Sequence, residues 1–124
     1  VRRASVQRLR RRKDFDRAFA MGRAVPGALF VLRFVRNDKP LECARVGIAV
    51  GRRLGSAVVR NRLRRRWREV VRLGPVMAPG WDVVVIVRAG CQSAPWHVVR
   101  SAWAEVLRRN RLAGVVQSGG VPGG

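Results

Sequence analysis

The chain has 124 residues, enough for one domain and too few for two ordinary ones. Apolar side chains make up 48%, so a hydrophobic core is attainable and wholesale disorder is disfavoured. Lys and Arg number 27 against 7 acidic residues, a formal charge of +20 that opposes a compact fold unless a polyanion shares it. Residues 1–7 read as a loose basic arm. A helix is predicted over 12–21, with Asp14 in its first turn, Phe15, Ala18 and Phe19 on one face, and Gly22 as its stop. Pro26-Gly27 signals a turn, and Leu29 to Val35 reads as a strand. After a turn at Asn37-Asp38-Lys39-Pro40, Val46 to Val50 reads as a second strand, expected to run back beside the first.

A basic connection, Gly51 to Gly55, leads to Ser56, a good N-cap for a helix over 57–72 that Gly74 and Pro75 terminate. Val83 to Val87 is a continuous apolar run, suited to a central strand buried on both faces. A last helix begins near Ser93 or Ala94, with Pro95 favourable in its first turn and a core stripe from Trp96 to Leu107. Residues 113–124, rich in Gly, Ser and Pro, read as a flexible tail. The order is helix, two or three strands, helix, strand, helix.

The helix after Ser56 is the most informative segment. At about 100° per residue, Val59, Leu63, Trp67, Val70 and Val71 form one apolar stripe. Asn61, Arg64, Arg65, Arg68 and Arg72 fall opposite it, while Arg60, Arg62 and Arg66 flank it with stems that can cover apolar surface. Glu69 is the only acid on this helix, so pairing along it cannot neutralise the face. Nucleic acid is the first polyanion this implies and a membrane surface the second; charge alone does not separate RNA from DNA. All cations but Lys13 and Lys39 are Arg, whose planar fork grips phosphate and stacks on bases; genomic base composition is a second source of Arg.

Phe15 and Phe19 can stack on bases or pack in the core. Trp67, Trp81, Trp96 and Trp103 read as core or rim anchors. His97 reads as ordinary surface, and Cys43 and Cys91 as reduced small hydrophobes of a cytoplasmic protein. The glycines at 51 and 55 lack the Gly-Lys-Ser/Thr ending of a phosphate loop, and no paired carboxylates or metal-ligand spacings appear. No apolar run approaches the roughly 20 residues a membrane span needs, and the basic N-terminus lacks a following hydrophobic stretch. These features point to a binding protein with no catalytic residues of its own, no bound cofactor or metal, and no obligate protein partner.

Ala57-Val58-Val59-Arg60-Asn61-Arg62-Leu63-Arg64-Arg65 resembles the Arg-Asn-Arg signature helix of the bacterial ribonuclease P protein family. Leu9, Asp14-Phe15, Phe19 and Gly22 resemble that family's first helix. Phe30-Val31-Leu32, Arg45-Val46-Gly47 and Asp82 to Arg88 resemble three of its strands. The resemblance covers roughly residues 8–110 and places the domain at 8–112. It implies an α+β fold, a single-domain α/β sandwich of order αβββαβα with a left-handed βαβ crossover, a sense opposite to the general rule.

The resemblance also implies a function. The chain is expected to be a noncatalytic RNA-binding subunit that assists a catalytic RNA in removing 5′ leaders from precursor tRNA, with Mg²⁺ held by the RNA. Its implied partners are the catalytic RNA and precursor tRNA, with no membrane. Arg52, Arg53, Arg60, Asn61, Arg62, Arg64, Arg65 and Arg68 are implied to meet the catalytic RNA. Phe15, Phe19 and Phe30 are implied to line a cleft for the single-stranded leader. Two positions depart from the family's usual pattern: Gly51-Arg52-Arg53 stands for Ser-Lys-Lys, and Arg33 stands for a Tyr. Arg33 joins the leader set on the expectation that a stacked guanidinium replaces the phenol. A small basic ribosomal protein and a nucleic-acid-compacting protein are the alternatives that share the size and charge.

Overall fold

Val83, Val84, Val85 and Val87 are all buried, as a strand covered on both faces requires. A computed structural model, describing residues 6–37 and 43–114, places them in β5 (Trp81–Val87) at the centre of a five-stranded sheet. The earlier strands are β1 (Gln7–Arg8), β2 (Arg23–Pro26), β3 (Phe30–Arg36) and β4 (Arg45–Ala49), and the sheet order is β1-β4-β5-β3-β2. β5 pairs antiparallel with β3, opposing Arg33 to Val84, and parallel with β4, opposing Val46 to Val83. The expected pairing of Val46–Val50 with the first strand is therefore wrong, because β5 lies between them. β2 and β3 form a hairpin through the predicted Pro26-Gly27 turn.

The helices are α1 (Arg12–Met21), α2 (Ala57–Leu73) and α3 (Trp96–Arg109). The chain is a mixed α+β domain of the expected αβββαβα order, with the two-residue β1 added in front. α2 makes the crossover between the neighbouring parallel strands β4 and β5.

Alternation along the strands divides the molecule into two unequal layers. Phe30, Leu32, Phe34, Val83 and Val85 join Trp67 of α2 and Trp103 of α3 in the main core. The opposite face carries α1 over a small cluster, Leu9, Ala18 and Val84, edged by Phe15, Val35, Ala49 and Ile86. Ala18 is the one buried residue of α1. Polar contacts make up for that thin apolar support. Asp82, fully buried, accepts two hydrogen bonds from Arg45, Nε to Oδ1 and Nη2 to Oδ2, each at 2.7 Å. Arg45 also reaches Asp14 of α1 at 3.5 Å, tying the start of the helix to the sheet.

Backbone pairing reaches into both segments that the sequence reads as loose. The Gln7 N–H donates to Ala44 O at 2.9 Å, so the arm read as 1–7 is already paired there; residues 1–5 lie outside the described residues. The tail read as 113–124 begins with an Ala113–Met77 bridge and a Gly114 N–H donated to Val76 O; 115–124 lie outside the described residues. So do residues 38–40 of the predicted turn, while the Asn37 N–H donates to Gly80 O at 2.9 Å.

Candidate nucleic-acid interface

α2 starts where predicted. The Ser56 hydroxyl accepts the Val59 N–H at 3.3 Å, satisfying one of the helix's free donors. Before it, Gly55 adopts φ 141°, a backbone that disfavours other residues, and a side chain there would strike Val59. Arg60 Nε donates to Gly55 O at 3.2 Å and fixes this turn. Leu63, Trp67, Val70 and Val71 are buried, so the apolar stripe faces the core.

The outer face is cationic. Arg62, Arg65 and Arg68 are exposed, Arg64 is half-buried, and Arg52 and Arg53 stand exposed on the 3₁₀ turn before Gly55. Asn61 Oδ1 accepts from Arg64 Nη1 at 2.9 Å and orients it. Glu69 is taken by Arg72 at 2.8 Å, and hydrogen bonding to that guanidinium holds its carboxyl below the usual range. Among the described residues, Arg62, Arg64, Arg65 and Arg68 have no carboxylate partner.

A groove of about 730 Å³ separates α2 from the N-terminal segment. Arg64, Arg68 and Arg72 line one side, Arg8, Arg10 and Phe15 the other, and Val46 and Ile48 the floor. Arg68's pKa is pushed down by partial burial, then by the Arg8 and Arg64 cations. The groove thus holds like charges close together, a local excess of positive potential that an anion would relieve. Phe15 owes its place to Gly47: a Cβ on Gly47 would lie 2.4 Å from the ring's Cζ. The tip of the ring therefore abuts the Gly47 backbone, and Phe15 is half-buried where it lines the groove.

The structure regroups the expected residues. Arg64 and Arg68, implied to meet the catalytic RNA, share one groove with Phe15. Phe19, one turn further along α1, is 41% exposed, and the Arg33 guanidinium lies 6.0 Å from its ring centroid. Phe30 is a correction. It is 5% exposed and packs edge-on against Trp67 at 4.9 Å in the main core, on the sheet face away from α1. It is absent from the groove that Phe15 lines, and it faces away from Arg33 on the same strand. Arg8 was missed by sequence reading, because a two-residue parallel strand leaves no periodic signal.

Trp67 and Trp103 are core residues and Trp81 and Trp96 half-buried anchors, as expected; Arg66 lies over the Trp96 ring at 5.4 Å. His97 is exposed. Among the described residues no group of three or more His, Cys, Asp or Glu is placed to hold a metal ion, and no helix is long and apolar enough to cross a membrane.

Comparison with known proteins separates the candidate functions. The ribonuclease P family model matches residues 4–111. The ribonuclease P protein component of Roseiflexus castenholzii is 45% identical over 111 residues, covering 89% of this chain and 88% of its own. That of Herpetosiphon aurantiacus is 41% identical over 109 residues, covering 86% and 85%. Among solved structures, the RNase P protein of Thermotoga maritima superposes with a TM-score of 0.70 at 33% identity, covering 83% of this chain and 96% of that one. That of Staphylococcus aureus gives 0.74 at 27% identity, covering 89% and 100%. A match spanning the signature helix, the groove and every strand is what neither a ribosomal nor a compacting protein would give: the chain belongs to the ribonuclease P protein family.

Proposed function

We propose that this chain, the RNA-binding protein component of ribonuclease P, holds the 5′ leader of precursor tRNA in the groove between α2 and the N-terminal segment, against Phe15 of α1, while the outer face of α2 grips the catalytic RNA. The observation that carries this reading is the groove's lining. An aromatic ring, Phe15, shares this lining with guanidinium groups, the combination that binds a single strand by base stacking and phosphate contact. Arg52, Arg53, Arg62 and Arg65 are exposed outside its lining and suit a structured RNA. Arg60 and Asn61 act one step back, ordering the turn and Arg64.

The protein's contribution is electrostatic and positional. It lowers the repulsion between two polyanions and fixes the leader relative to the scissile bond. In this reading the Mg²⁺ of the holoenzyme is held by the RNA. Cys43 and Cys91 are free thiols, in keeping with a cytoplasmic location.

Reconstitution tests the reading. The purified protein alone should leave precursor tRNA intact; adding the catalytic RNA should give cleavage at a lower magnesium requirement than the RNA shows by itself. Cleavage by rigorously purified protein would sink it. Phe15→Ala, in the reconstituted holoenzyme, is expected to weaken precursor binding by about 1–3 kcal/mol, the worth of one stacked base. Mature tRNA, which lacks a leader, should bind as before. Equal losses for the two RNAs would move Phe15 out of the leader site.

A further inference from the structure

We infer that Arg33 is a positioning residue: it caps the C-terminal end of α1 and thereby sets Phe19 for the leader, rather than gripping phosphate itself. The inference rests on the proposed leader reading and extends it from Phe15 to the far end of α1. Arg33 Nη1 donates to Phe19 O at 2.6 Å and reaches Gly22 O at 3.5 Å. These are carbonyls at the end of a helix, where acceptors lack intrahelical donors and a cation is favoured by the helix dipole. α1 has no basic residue of its own in its last turn, and its Gly22 cap is extended, offering only its N–H to Ala18 O. The donor that this end lacks therefore comes from the sheet.

Arg33 is well fixed for the task. Its backbone sits in β3 between Ala24 of β2 and Val84 of β5, and alternation points its side chain to α1's face. Phe19, by contrast, has little packing to hold it: it is 41% exposed on a helix with one buried residue. Its ring direction therefore depends on where the last turn of α1 is held, and Arg33 holds that turn through the carbonyl of Phe19 itself.

The test uses holoenzyme reconstituted with Arg33→Ala, Phe19→Ala and the double variant. Dissociation constants are measured for precursor and mature tRNA over a range of salt. Phe19→Ala should weaken precursor binding by roughly 5- to 150-fold, the range for one lost stacked base. Arg33→Ala should lose part of that factor, the double variant should bind no more weakly than Phe19→Ala, and the salt slope should stay at its original value. A slope flatter by about 0.7–0.9, with losses that multiply in the double variant, would show a direct phosphate contact and overturn the inference. If Phe19→Ala costs the precursor nothing, the leader reading at this end of α1 fails and the inference falls with it. If Phe19→Ala keeps its loss and only the multiplication appears, the Arg33 assignment alone is wrong. Should Arg33→Ala not fold, Arg33→Gln keeps an amide donor without the charge, and the slope and double variant decide in the same way.

Discussion

Trp67→Ala is expected to lower the free energy of unfolding by about 3–5 kcal/mol, read as a lowered urea midpoint with an unchanged slope. Trp67 is fully buried where α2, α3 and the sheet meet, with Phe30 at 4.9 Å, Trp103 at 5.8 Å and Trp96 at 6.4 Å between ring centroids. Its rings meet near right angles, so truncation removes edge-to-face contacts as well as burial and leaves a cavity that these neighbours cannot jointly fill. Since whole domains of this size are stable by roughly 5–15 kcal/mol, the variant should be marginal at 37 °C. An unfolding midpoint matching that of the original protein would mean that the core does not centre on this residue.

The opposite face of the same helix should behave in the opposite way. Changing Arg64, Arg65 and Arg68 together to Ala is expected to leave the fold intact while weakening binding to the catalytic RNA. The log–log salt dependence should flatten by about 2–3 in slope, at roughly 0.7–0.9 per lost phosphate contact. Stability should hold, because none of the three side chains is buried. Urea unfolding and filter binding across a salt series check the two halves separately. A destabilised triple variant with undiminished RNA affinity would reverse the assignment of the helix faces.

α2 was legible in the sequence because every layer of information agreed there: a hydroxyl cap, a continuous apolar stripe, and cations flanking and opposite it. The run Val83 to Val87 was equally plain, since only a central strand needs apolar residues on both faces. What stayed hidden depends on pairing between distant segments. Nothing local in Leu29–Val35 or Val46–Val50 says that a strand over thirty residues later inserts between them, and two adjacent runs read naturally as a hairpin. β1 was invisible because it is held by backbone bonds alone.

The candidate site divides along the same line. Arg64 and Arg68 could be placed from the helix period, but their meeting with Arg8 and Phe15 in one groove is a tertiary fact. Phe30 is a case where strand parity alone is decisive. It is three residues from Arg33, and a period of two puts residues three apart on opposite faces of a strand. Family resemblance supplied Phe30 to the leader set, and strand parity argues against it. Asp82 went unremarked at the head of an apolar run, although a charge beside a buried strand calls for a partner such as Arg45.

The position of β5 has a consequence for how the chain is made. The sheet's middle strand is the last of the five to be synthesised. Until residues 81–87 leave the ribosome, β3 and β4 have no common neighbour, and the unpaired N–H and C=O groups along each are open to other chains. Closure must wait for a non-local insertion, the kind of step that slows folding and exposes intermediates to aggregation. The waiting strands carry Arg33, Arg36 and Arg45. Like charges on an open edge repel a second copy of that edge. Before any RNA is bound, therefore, these cations keep half-made chains apart.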